Sequence, residues 1–168
     1  MPLAFFVRTA TPADADAVTG LLTASYPVLM ATAYDEAALA GALPAMTRAN
    51  PALLTSGSFY VAEQDDGELA GCGGWTPERP GTGETEPGLG HIRHFATGPQ
   101  WVGRGVGRAL YQRCEEAARA AGIRRLECYA SLNAEGFYQA LGFKTIRRIE
   151  VPMGPDAVLP SILMRRDI

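Results

Sequence analysis

Two periods of apolar spacing alternate along the chain, and the points where one gives way to the other mark its elements. Ala4–Arg8 reads as a strand. Thr11-Pro12 with Asp14 and Asp16 then reads as a helix start: a hydroxyl cap, proline at the first helical position and acids in the first turn. Val18, Leu21, Leu22 and Ser25 carry one stripe down to about Tyr26, where Pro27 disturbs it. Asp35-Glu36 opens a second helix bearing Leu39, Leu43 and Met46, and residues 50–57 read as a loop. Phe59–Glu63 and Leu69–Trp75 read as strands joined by the turn Asp65-Asp66-Gly67, and Thr76–Gly88 as an exposed loop. His91–Thr97 is the next strand. A helix follows from Gly105 with Val106, Leu110, Cys114, Ala117 and Ala121 on its buried face and Gly122 at its end. Strand Arg125–Tyr129, helix Asn133–Leu141 and strands Phe143–Val151 and Val158–Arg165 complete the order β-α-α-β-β-β-α-β-α-β-β, a mixed α/β sheet with helices on its faces.

The 168 residues fit one domain spanning 1–168, with a core large enough to need no staples. A hydrophobic content of 47%, a charged content of 20% and a net charge of −3 describe an ordinary globular chain. Nothing in that balance recommends nucleic acid as a partner, and no apolar run reaches the length of a membrane span. The cysteines Cys72, Cys114 and Cys128 are odd in number and widely spaced. They argue against a disulfide framework or a metal cluster and for a reducing, cytoplasmic setting.

The chemistry gathers where the strand ending at Thr97 meets the turn Val102-Gly103-Arg104-Gly105-Val106-Gly107-Arg108. Glycines alternating ahead of a helix let backbone N–H groups converge on an anion at its N-terminus. Glu127, twenty residues beyond Gly107, stands where a dinucleotide-binding unit keeps its ribose acid, but the spacing Gly-x-Gly-x-Gly is wrong for that unit. No Gly-Lys-Ser/Thr follows, so a nucleotide-hydrolase loop is excluded.

The turn Val102–Gly107, with Asn133-Ala134-x-x-Phe137-Tyr138-x-x-Leu141-Gly142-Phe143 further on, resembles the two signatures of the GCN5-related N-acetyltransferase superfamily. The resemblance is strong over Phe95–Phe143, and the order of elements extends it along the chain. One departure is Val102, where the family usually has Gln or Arg.

That resemblance implies a mostly antiparallel central sheet flanked by helices and acetyl-CoA as donor. It implies direct transfer of acetyl to an amine of a small molecule or peptide, and it leaves a homodimer open. Gly103, Arg104, Gly105, Val106, Gly107 and Arg108 would hold the pyrophosphate. The backbone of Phe95, Ala96 and Thr97 would pair with the pantetheine arm, and Asn133 would cap its helix and touch that arm. Tyr138 would return a proton to the leaving thiolate, a phenol being a suitable donor.

His91 is the first candidate base, on the strand where relatives carry a glutamate. His94 is its rival, placed on the opposite face by strand alternation, and Glu63, Glu78, Glu84 and Glu86 are further candidates. Tyr26–Tyr34, Trp75 and the acidic segment Glu78–Glu86 would border the acceptor. The competing reading is a non-catalytic acyl-CoA-binding module on the same scaffold.

Overall fold

A computed structural model describes residues 4–168. Its strands are β1 (Phe5–Thr9), β2 (Phe59–Gln64), β3 (Leu69–Thr76), β4 (Leu89–Thr97), β5 (Arg125–Ser131), β6 (Lys144–Pro152) and β7 (Val158–Asp167). They form one sheet in the order β1-β2-β3-β4-β5-β7-β6. Every neighbouring pair is antiparallel except β4 and β5. The helices are α1 (Ala15–Leu29), α2 (Glu36–Met46), α3 (Pro51–Leu54), α4 (Val106–Ala120) and α5 (Glu135–Ala140). Among the described residues no helix is long and apolar enough to cross a membrane.

The expected order holds, with adjustments of local origin. α1 continues through Pro27 to Leu29, because a proline in the last turn sacrifices only one intrahelical bond. A short α3 appears within the expected loop. It is started by Pro51 and capped by Asn50 Oδ1, which accepts from the Ala52 N–H at 2.9 Å. On α4 the buried face is Val106, Leu110, Tyr111, Cys114 and Ala118, while Ala121, expected inside, is exposed at the helix end.

Strand alternation divides the core between the two faces of the sheet. Tyr60 and Ala62 of β2 pack with α4 and with Leu126, Tyr138 and Phe143. Phe59 and Val61 point the other way, against Val18, Leu21 and Leu22 of α1 and Leu53 and Leu54 of α3. α2 closes a smaller cluster of Met30, Tyr34, Leu39, Ala42 and Leu159. Each fully buried Leu or Val on these faces stabilises the fold by about 1.5–3 kcal/mol.

Two irregularities of β4 shape the functional region. Its parallel ladder with β5 covers only Leu89–His91 against Arg125–Glu127. Beyond that point β4 keeps β3 and β5 keeps β7, so the two strands diverge. The second irregularity is a bulge: Arg93 pairs with Gly74 and Ala96 with Cys72, so Gly73 alone faces both His94 and Phe95. His94 takes up the extra residue at φ 55°.

Candidate active site

Where β4 and β5 diverge, a cleft of about 800 Å³ opens. Phe95, Ala96 and Thr97 line one wall, Tyr129–Ser131 and Tyr138 the other, with α1 and the end of α2 at one end and the glycine turn at the opposite one.

The glycine turn leaves backbone amides open at a helix N-terminus. Gly103 and Gly105 lie at φ 78° and 85°, in the left-handed region, and Gly105 is the N-cap of α4. The first bond inside the helix runs from Ala109 N–H to Gly105 O at 3.0 Å, which leaves the amides of Val106, Gly107 and Arg108 without helical acceptors. No acidic side chain occupies that first turn, so nothing opposes an anion there. Gly107 has another task. A Cβ there would stand 2.7 Å from Phe137 Cε1, so its bareness lets α5 approach α4.

Gly103, Gly105, Val106, Gly107 and Arg108 border the cleft, as does Val102. Arg104 turns away and places its guanidinium over the Trp101 ring, 5.3 Å from the centroid. Any side-chain help to a phosphate therefore falls to Arg108.

The β4 wall presents unused backbone. Gly98 N–H donates to Ala70 O at 2.8 Å, which sets the phase of the β3–β4 ladder and turns both backbone polar groups of Thr97 away from β3. Hydroxyls of α1 take the carbonyls: Ser25 Oγ donates to Thr97 O at 2.6 Å and Tyr26 Oη to Phe95 O at 2.8 Å. Among the described residues the Thr97 amide has no ladder partner on the cleft side, since the pairing with β5 ends at His91. An extended, amide-bearing arm laid along it would add a strand.

Tyr138 is buried in an aromatic cluster, with ring centroids 6.3 Å from Phe95, 5.0 Å from Phe137 and 5.4 Å from Phe143. Its hydroxyl has no hydrogen-bond partner among the described residues, although the residue lines the cleft. Burial, followed by the neighbouring Cys128, Tyr26 and Cys114, pushes its pKa well above the ordinary phenol value, so the hydroxyl keeps its proton.

The two histidines exchange the places expected of them. His91 is only 2% exposed, does not line the cleft and pairs across the ladder with Glu127. Burial lowers its pKa, with Glu127 opposing. His94 lines the cleft together with Phe95, contrary to the alternation expected of a regular strand, because the bulge resets the phase between them. Its ring stacks on Tyr26 at 6.1 Å and its Nε2 lies 2.8 Å from Met46 O. A carbonyl can only accept, so Nε2 carries the hydrogen and the neutral ring keeps its lone pair on Nδ1. Burial lowers this pKa also, ahead of the opposing Met46 bond.

The remaining candidates fall outside the cleft or change role. Asn133 borders it but lies inside a 3₁₀ turn (Leu132–Ala134) and caps nothing; the N-cap of α5 is Ala134. Of the 76–88 loop only Pro80 reaches the cleft, and Trp75 does not. Glu63 is taken by Arg8 at 2.9 Å, and Glu127 by Arg165 at 2.7 Å, which removes the acid a dinucleotide reading would need. Cys72, Cys114 and Cys128 are free and buried; burial raises all three thiols, Cys72 to about 12, so none is an available nucleophile. Among the described residues no three His, Cys, Asp or Glu side chains gather to hold a metal ion.

A diverging parallel strand pair, a bulge beside it and a glycine-capped helix N-terminus below it agree with a comparison of sequences. The sequence profile of the Acetyltransferase (GNAT) family matches residues 21–143. The chain belongs to that family. This GNAT protein is therefore an acyltransferase, with acetyl-CoA as donor and N-acetyl transfer as its reaction. A curated relative, an aminoglycoside N(6′)-acetyltransferase type 1 from Stenotrophomonas maltophilia, is 28% identical over 158 residues, covering 90% of this chain and 95% of its own. A GCN5-related N-acetyltransferase from Rhodopseudomonas palustris has a similar structure, with a TM-score of 0.79 at 25% identity over 99% of this chain and 97% of that one. The PaiA N-acetyltransferase of Thermoplasma acidophilum, solved in complex with coenzyme A, shares the fold at a TM-score of 0.73 and 15% identity, over 99% and 100% of the two chains.

Proposed function

We propose that this GNAT protein acetylates a primary amine directly, with His94 as base and Tyr138 as acid on opposite walls of one cleft. The observation that carries this is the bulge, which brings His94, rather than His91, to the cleft in the tautomer a base needs.

The donor set fits acetyl-CoA. Backbone amides of Val106, Gly107 and Arg108 and the Arg108 side chain would receive the pyrophosphate, the Thr97 edge and Asn133 the pantetheine arm, and the Phe95 backbone the thioester end, while Ala96, paired with Cys72, turns its own backbone to β3. Bound there, acetyl-CoA supplies an activated acyl carbon and a thiolate leaving group. The new C–N bond forms as the C–S bond breaks. His94 Nδ1, directly or through water, takes the proton the amine loses, and Tyr138 Oη gives one to sulfur. Walls of Phe95, Phe137 and Leu141 exclude water and strengthen the polar contacts made between them.

The test is the pH profile of thiol release from acetyl-CoA with a saturating primary amine. The parent should keep full activity down to a limb below pH 6.5, since the His94 pKa is lowered from that value. His94→Gln should lower kcat by about 10²–10⁴-fold and remove the limb. An unchanged limb in that variant assigns the base elsewhere.

A further inference from the structure

Among the described residues the cleft of this acetyltransferase is lined by three arginines, Arg48, Arg93 and Arg108, and by no aspartate or glutamate. Arg108 belongs to the phosphate seat. The other two have no such employment.

Arg93 is half-buried on β4, immediately before the bulge, and burial lowers its pKa with Glu78 only partly opposing. Its Nη1 donates to Thr76 Oγ1 at 2.9 Å, and it forms no ion pair among the described residues. A guanidinium with five donors, partly desolvated and offered one neutral hydroxyl, is costly until an anion reaches it. Arg48, exposed just past the end of α2, also borders the cleft and forms no ion pair among the described residues; hydrated there, it adds positive charge at the rim, and the demand for an anion comes from Arg93.

The donor's phosphates do not answer this demand. Arg93 lies four residues up the strand from Thr97, about 13 Å in extended chain, while the phosphate seat follows the strand's other end. The unanswered charge is therefore on the acceptor side of the bulge.

We propose that the acceptor is an amino carboxylic acid, whose carboxylate is held by Arg93 and Arg48 while its amine meets the acyl carbon beside His94. This rests on the N-acetyl transfer reading above and narrows it. A polycationic amine of the kind named for the Stenotrophomonas relative would meet two unpaired arginines and no carboxylate within this cleft. The acidic loop gives it no foothold either, since Pro80 alone of that loop borders the cleft.

The test measures thiol release from acetyl-CoA with the common L-amino acids, the carboxamide of each, phosphoethanolamine, spermidine and kanamycin. At least one free amino acid should be acetylated with kcat/KM about 10–100-fold above its own carboxamide, the worth of a charge-assisted contact. Arg93→Gln and Arg48→Gln should each shrink that ratio mainly through KM. If Arg93→Gln does not fold, Arg48→Gln and the acid-to-amide ratio of the parent still decide.

Equal rates for acid and amide, or a preference for spermidine or kanamycin, overturn the proposal and leave N-acetyl transfer standing. Preference for phosphoethanolamine over every amino acid overturns the carboxylate and keeps an anionic acceptor. Acetyl-CoA binding with no turnover of any amine would take down the transfer reading itself and this proposal with it.

Discussion

Gly73 of β3 stands opposite the bulge, and Gly73→Ala measures how tightly the two are packed. A Cβ at residue 73 would lie 2.5, 2.6 and 2.7 Å from Cδ1, Cε1 and Cγ of Phe95. Comfortable carbon contacts lie near 3.5–4.0 Å, so the ring must retreat by about 1 Å or more. Phe137 and Tyr138 crowd its far side at centroid distances of 6.5 and 6.3 Å, and the Phe95 carbonyl is tied to Tyr26. Overpacking of this kind costs about 1–3 kcal/mol, which in a chain of this length lowers Tm by roughly 2–12 °C. The displaced bulge carries His94 with it, and a misplacement of about 1 Å at a reacting centre costs about 10²-fold in rate. Calorimetric melting and thiol-release kinetics on one preparation give both numbers. Parental Tm and parental kcat together would show that the Phe95 ring is not packed on Gly73 and that the bulge does not set the geometry of the site.

Gly105→Val acts through the backbone. Nothing lies within 4 Å of a Cβ there, but φ is 85°, so a β-branched residue should loosen the α4 N-cap and weaken acetyl-CoA binding by about 10-fold or more, read by calorimetry; unchanged affinity would show that the turn does not hold the phosphates. The stability of the parent should fall as pH drops below about 6.5. The folded-state pKa of His94 is lowered, so the unfolded chain takes up the proton first and gains from it; stability is complete above the unfolded pKa and is lost as pH falls through the folded one. Chemical-denaturation midpoints at several pH values should show a slope that His94→Gln reduces, with His91, whose pKa burial also lowers, keeping the rest; an equally steep slope in the variant would assign it to other groups.

Much of the fold was legible because the chain writes it locally. The switch from alternating to helical apolar spacing located most elements, and Gly103-Arg104-Gly105 announced a left-handed turn before a helix. The site itself was legible only in outline. Strand alternation puts His94 on the wrong face because the bulge that turns it stands opposite Gly73, a bare position on another strand twenty-one residues earlier, where a Cβ would strike Phe95. In the sequence His91 is a candidate base and Glu127 stands at the distance of a ribose acid; the β4–β5 ladder and Arg165, which account for their burial, are distant in sequence. Arg48 and Arg93 carried no motif. Their meaning lies in the carboxylates the cleft lacks, which appears only once α2 and β4 are folded together. On α4 Ala118 is buried where Ala117 is only half-buried, and Ala121 is exposed because the helix ends at Ala120, one residue short of it.

On the proposed mechanism Tyr138 serves the reaction as a proton donor and the fold only as an aromatic ring. Tyr138→Phe removes one oxygen and keeps the packing against Phe95, Phe137 and Phe143. Its hydroxyl forms no protein hydrogen bond among the described residues, so Tm should stay within a few degrees of the parent or rise. Calorimetry should give the parental Kd for acetyl-CoA, while single-turnover acetyl transfer slows by about 10²–10⁴-fold. A transfer rate equal to the parent's at equal donor occupancy would contradict the account.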